Sequence, residues 1–185
     1  MSLLSLPREL QLYILGLLPT RDLLSLSETC RSLKDLARDP SLWKQLVLSY
    51  KNIKNNPKAC REHVARCSKL RELTIHPDPE TNIIRSDKIM SVVMKAKNTL
   101  TSLSVIDLAL SNSSFEKISQ ITQLTKLEIN ALKIKPGLEN GLLHLKYLAK
   151  LKSITLTSVL DFSILDTFLN QIQQNKQNIH ILVVY

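Results

Sequence analysis

At 185 residues with 44% hydrophobic side chains, the chain fits one domain, or a small module plus a larger one, and is too apolar for global disorder. Its three glycines (Gly16, Gly137 and Gly141) fall far below the ordinary share, which nearly excludes glycine-rich phosphate cradles. A net charge of +9 suits nucleic acid, anionic membrane or acidic protein segments and does not choose among them.

No cationic leader with an apolar stretch opens the chain, and no run of about 18 apolar residues occurs. A soluble protein of the cytoplasm, the nucleus or both is expected. The three cysteines (Cys30, Cys60 and Cys67) are few and odd in number, as in a reducing compartment. There, Asn112-Ser113-Ser114 has no meaning as a glycosylation signal.

Leu6, Leu10, Ile14 and Leu17/Leu18 recur about every four residues, the spacing of one helix stripe, with Pro7 suited to its first turn. Pro19 ends that helix. Thr20 is placed to cap a second, with Asp22 in its first turn and Leu23, Leu26 and Cys30 on an apolar face. A third helical stretch carries Leu33, Leu36 and Ala37 before Asp39-Pro40 breaks it, and Trp43 is a natural plug between helices. Three short helices lie near the lower size limit for independent folding. Each buried leucine contributes roughly 1.5–3 kcal/mol. The surplus of leucine therefore either faces a protein partner or packs against the rest of the chain.

Leu6-Pro7-x-Glu9-Leu10, Ile14, Leu17-Leu18-Pro19, Asp22-Leu23-Leu24, Leu26-Ser27, Thr29-Cys30-Arg31, Leu36-Ala37 and Pro40-x-Leu42-Trp43 together resemble an F-box, in order and spacing. Leu33 and Thr29 depart from it, since the family usually has tryptophan and an aliphatic residue there. The resemblance implies docking onto the Skp adaptor of a Skp–cullin–F-box ubiquitin ligase. Carried over by position, Leu6, Pro7, Leu10, Ile14, Leu18, Leu23 and Leu26 contact the adaptor, and Trp43 holds the module together.

Residues 49–66 read as a polar, basic transition leading into a helix from Pro57 to Arg66. One phrase then recurs: Leu70-x-x-Leu73-x-Ile75, Leu100-x-x-Leu103-x-Val105, Leu124-x-x-Leu127-x-Ile129, Leu151-x-x-Ile154-x-Leu156 and Ile179-x-x-Leu182-x-Val184. The starts lie 30, 24, 27 and 28 residues apart, close to the period of strand-plus-helix repeats. Helical spacing fills the intervals at Ile89, Val92, Val93 and Ala96, at Leu142, Leu145 and Leu148, and at Ile164, Leu165, Phe168, Leu169 and Ile172. The expected fold is α/β: a three-helix F-box over 3–48, a helical linker over 49–66, and a short right-handed strand–helix solenoid over 67–185. Its parallel, concave sheet has about five strands. These units resemble the irregular leucine-rich repeats often joined to an F-box, although Asp78, Leu108, Leu132 and Val159 replace the usual Asn or Cys after each strand.

With the phrase residues pointing inward, the concave face carries Glu72 and Thr74, Ser102 and Ser104, Lys126 and Glu128, Ser153 and Thr155, then Ile181 and Val183. These are the candidate target-binding residues. The last two form an apolar end, read either as a partner contact or as a frayed terminal strand.

Chemistry-bearing patterns are sparse. Cys60-x-x-His63-x-x-x-Cys67 places three ligand types on one helix face, but a structural zinc site wants four and the nearest fourth is His76, beyond a strand. Helix packing is the favoured role, with no metal and no cofactor. No His-Glu-x-x-His, Gly-x-Ser-x-Gly or paired-cysteine motif occurs, and Pro77-Asp78-Pro79-Glu80 reads as a loop. The protein is expected to be non-catalytic.

The charge is uneven. Residues 1–48 hold six Lys/Arg against five Asp/Glu, and residues 49–185 hold nineteen against eleven. Lys51, Lys54, Lys58, Arg61, Arg66, Lys69 and Arg71 gather near the junction, and Lys88, Lys95, Lys97, Lys146, Lys150 and Lys152 dot the later helices. An aromatic content of 4% offers little for base stacking. The basic excess is a solvated face or a reader of an acidic or phosphorylated segment, ahead of nucleic acid. The resulting reading is the target-recognition subunit of a Skp–cullin–F-box ligase, with the Skp adaptor and, through it, cullin as partners. The alternatives are a basic scaffold for nucleic acid or acidic partners, and an F-box protein acting outside a ligase.

Overall fold

In a computed structural model that describes residues 3–78, 86–106, 110–130, 139–157, 170 and 180–184, strands of five residues recur. They are β1 (Gln45–Ser49), β2 (Glu72–His76), β3 (Ser102–Ile106), β4 (Lys126–Asn130), β5 (Ser153–Thr157) and β6 (His180–Val184). They lie side by side in chain order, and every neighbouring pair is parallel. Three helices precede the sheet: α1 (Arg8–Leu15), α2 (Thr20–Ser27) and α3 (Arg31–Ala37). Between β1 and β2 come α4 (Tyr50–Asn55) and α5 (Pro57–Arg66). The next three intervals hold α6 (Ser86–Val93), α7 (Asn112–Ser119) and α8 (Glu139–Leu143) in turn.

Side chains alternate across a strand, so one face of each carries the core. Leu46 and Leu48, Leu73 and Ile75, Leu103 and Val105, Leu127 and Ile129, and Ile154 and Leu156 are all buried there. Ile53, Val64, Ile89, Phe115 and Leu145 from the connecting segments join the same cluster. Strand starts are locked by one repeated bond at 2.8 Å. The amides of Arg71, Thr101, Thr125, Lys152 and His180 donate to the carbonyls of Lys44, Arg71, Thr101, Thr125 and Lys152. The Thr101 and Thr125 hydroxyls donate to the same carbonyls as their own amides, at 3.1 and 2.9 Å.

Two findings change the expected sheet. Among the described residues it has six strands, because Gln45–Ser49 pairs with Glu72–His76 from inside the segment assigned to the N-terminal module and linker. The signal was present: Trp43-x-x-Leu46-x-Leu48 is the repeating phrase with tryptophan in the leading place. The register of β6 is also one residue away from the expected one. Ile181 pairs with Ile154 and Val183 with Leu156, both core positions, while Leu182 pairs with Thr155. A slip of one residue exchanges the two faces of a strand. The phrase starting at Ile179 therefore misplaces the last strand.

The expected linker is part of the packed structure. The buried Tyr50 donates its hydroxyl to the Ile106 carbonyl at the end of β3. Asp78, just beyond β2, accepts the Lys51 amide at 2.7 Å near the start of α4. That bond first, with smaller help from the Ser49 hydroxyl, His76 and Lys51, holds its carboxyl below the usual range against a small cost of burial. So Asp78 does supply a polar link between successive units. Leu108, Leu132 and Val159 lie outside the described residues, as does the expected helical face at Ile164, Leu165, Phe168, Leu169 and Ile172. In α7, Ser111 and Ser114 form a reciprocal capping box. Against that helix packs Gly141, where an added Cβ would stand 2.6 Å from Asn112 Oδ1.

Candidate docking interface

Helix α1 divides its side chains sharply. Gln11 and Leu15 are buried, with Leu12 and Leu18 partly so. The Gln11 amide reaches back to the carbonyls of Leu4 (3.2 Å) and Leu6 (2.8 Å), fastening the 3-10 turn Leu3–Ser5 onto the helix. The opposite side presents Leu10 (50% exposed), Tyr13 (69%), Ile14 (38%) and Leu17 (70%), flanked by Leu4. Positions 10, 13, 14 and 17 are i, i+3, i+4 and i+7, one face of a helix. Leu17 lies in the turn just past α1, where its amide donates to the Ile14 carbonyl at 3.1 Å. Five large apolar side chains exposed on one side make a candidate contact surface, because isolated exposed leucines are ordinary and contiguous ones are not.

Of the seven residues expected to contact an adaptor, Leu10 and Ile14 stand in the stripe, Pro7 is exposed, and Leu6 is half-buried. Leu18 and Leu26 are half-buried and lean on the core. Leu23 is a correction. At 2% exposure it belongs to the interior, in the same core cluster as Leu15, Leu36 and Trp43. Leu4, Tyr13 and Leu17 are exposed as well and were not among the expected contacts, although the 10-13-14-17 spacing was visible. Thr20 opens α2 without capping it; its hydroxyl donates to the Gln45 carbonyl at 3.3 Å, tying α2 to β1.

Trp43 holds the module to its neighbour. Its indole N–H donates to the Ala37 carbonyl at 2.7 Å, and its ring meets the His63 imidazole edge-on, centroids 5.0 Å apart at 83°. Asp39 accepts from the Ser41 amide and hydroxyl (3.0 and 2.8 Å) and from Arg8 (3.0 Å). The Ser41 amide is the main reason its carboxyl stays below the usual range. Cys60 and Cys67 are buried, and the Cys67 thiol donates to the His63 carbonyl at 3.2 Å. Among the described residues no group of three His, Cys, Asp or Glu could hold a metal ion.

The second surface is the outward face of the sheet. Glu72, Thr74, Ser102, Ser104, Lys126, Glu128, Ser153 and Thr155 lie on it, half-buried or exposed as expected. In register, Val47, Thr74, Ser104, Glu128, Thr155 and Leu182 form one cross-strand row, and the exposed Val47 and Leu182 end it. Ile181 is a correction: it is half-buried and packs against the core. Val183 occupies the core register opposite Leu156, so the apolar end of this face is Leu182. Lys44, Arg71, Lys126 and Lys152 stand exposed at the strand starts, and among the described residues no ion pair engages them.

Among the described residues no helix is long and apolar enough to cross a membrane. No curated protein matches the chain. Residues 3–49 do match a family model, F-box-like, and the match runs from the turn before α1 to the last residue of β1. The exposed stripe thus belongs to an F-box-like domain whose final segment is the first strand of the parallel sheet.

Proposed function

We propose that this chain is a non-catalytic receptor subunit of a Skp–cullin–F-box ubiquitin ligase. The α1 stripe docks on the Skp adaptor, and the outward face of a short, degenerate leucine-rich-repeat solenoid recruits a protein target. The observation that carries the reading is the stripe Leu10, Tyr13, Ile14 and Leu17 within an F-box-like domain. Covering it with a partner adds roughly 1.5–3 kcal/mol per fully buried side chain. The period of 24 to 30 residues and the chain-order parallel strands support the repeat assignment. The cations at the strand starts, which make no ion pair among the described residues, favour an acidic or phosphorylated target segment along that rim. Chemistry is left to other subunits, and the receptor acts by raising the local concentration of the target.

The test is co-expression with the Skp adaptor. Leu10→Ala combined with Ile14→Ala is expected to abolish co-purification while the circular dichroism of the chain is unchanged. Undiminished adaptor recovery would overturn the proposed docking face.

A further inference from the structure

A cavity of about 520 Å³ opens between α3 and α5. The two helices and the residues that end them line it at the same spacing, with Lys34, Ala37 and Arg38 on one side and His63, Arg66 and Cys67 on the other. Residues at i, i+3 and i+4 share a helix face, so two faces look across the space. Trp43 joins them, bonded to Ala37 on one wall and edge-on to His63 on the other.

Among the described residues, the lining combines apolar walls with three cations and holds no carboxylate. Arg38 and Arg66 each have one carboxylate on their own helix, Asp35 at 3.5 Å and Glu62 at 3.9 Å. Both pairs are long and solvent-exposed, so a guanidinium can exchange its partner for an anion in the cavity at little cost. Lys34 has no ion pair among the described residues. Burial pushes the Cys67 thiol up to about 11, so it adds no negative charge at neutral pH.

We propose that this cavity binds a small aromatic monophosphate, its ring against Trp43 and its phosphate among Lys34, Arg38 and Arg66. The volume falls in the range of roughly 300–1,000 Å³ usual for small-molecule sites. Arginine forks match phosphate oxygens in pairs, and three cations exceed the charge of one phosphate dianion. No lining residue lies on α1, so the site is separate from the docking stripe and does not depend on the ligase reading.

Trp43 is the chain's only tryptophan, so its emission reports on the cavity. The experiment titrates the full chain with 1-naphthyl phosphate, following Trp43 fluorescence and heat by calorimetry, with 1-naphthol and inorganic phosphate as separate probes. Saturable binding of the aryl phosphate is expected, at least about tenfold tighter than either fragment. Arg38→Gln and Arg66→Gln should each weaken it by about tenfold. Lys97→Gln, outside the cavity, should leave it unchanged. All three substituted residues are exposed, so folding is not at stake. Absence of saturation, equal affinity for 1-naphthol, or unchanged affinity in both arginine variants would overturn the proposal. Adaptor co-purification is measured independently and is expected to be unaffected by these variants.

Discussion

The rings of Trp43 and His63 meet edge-to-face at 5.0 Å, joining the F-box-like domain to the first helix pair after β1. With its indole N–H committed to the Ala37 carbonyl, Trp43 fixes three elements at once. Trp43→Phe keeps a ring but orphans that carbonyl, at a cost of about 1–3 kcal/mol. Trp43→Ala also opens a cavity and is expected to cost about 3–5 kcal/mol. Urea denaturation of the two variants checks the order.

His63 gives the junction a pH dependence. Burial first, and the nearby Arg66 charge second, hold its imidazole below the ordinary value of 6.5. The unfolded chain therefore binds this proton more readily than the folded one, so stability rises with pH across the window below 6.5. The contribution is complete above that value and is lost as the pH falls toward the folded value. The urea midpoint is expected to drop between about pH 7 and about pH 5, and to drop less in His63→Gln. An equal drop in both would remove His63 as the cause.

Asp39 supplies a separate acid response. Its carboxyl is held below 3.8, chiefly by the Ser41 amide, so its stabilisation is present at neutral pH and fades only as the pH falls below that value. Asp39→Ala removes a cap and is expected to cost about 0.5–2 kcal/mol. Arg8→Ala removes only a well-exposed ion-pair partner and should cost less than about 1 kcal/mol. Thermal melts of the pair separate the two contributions.

The proposed docking stripe predicts a division between binding and folding. Leu17→Asp, on the exposed stripe, is expected to weaken adaptor capture by at least about tenfold with little change in melting temperature. Leu23→Ala, in the interior, should instead cost about 2–5 kcal/mol of stability. Capture assays and melts on the same preparations distinguish the two outcomes.

The register of β6 is testable by a neighbouring pair. Ile181→Asp places a charge on the core side and is expected to destabilise by more than about 2 kcal/mol, whereas Leu182→Lys on the outward face should stay within about 0.5 kcal/mol. The reverse order would restore the register that starts the phrase at Ile179.

Much of this arrangement was legible because the signals were dense. Four leucine phrases gave β2 to β5 and their buried partners, since each phrase pins three inward positions at fixed spacing. Strand β1 escaped because Trp43 occupies the leading position and also closes the F-box-like pattern, so one residue carried two meanings. Strand β6 was expected but in the wrong register, because Ile181, Leu182, Val183 and Val184 are all apolar and an unbroken apolar run carries no period-two signal to choose a register. Leu23 was misassigned for a related reason: a repeating leucine marks a helix face, but only packing decides whether that face meets the core or a partner.

Because β1 is both the end of the F-box-like domain and the first rung of the sheet, no free joint separates the two surfaces. Backbone bonds run unbroken from Lys44 to the start of β6. Five strand spacings make a span of about 24 Å. Under the proposed reading, a body held on α1 and a body held beside Leu182 would be joined through hydrogen-bonded strands rather than through a tether.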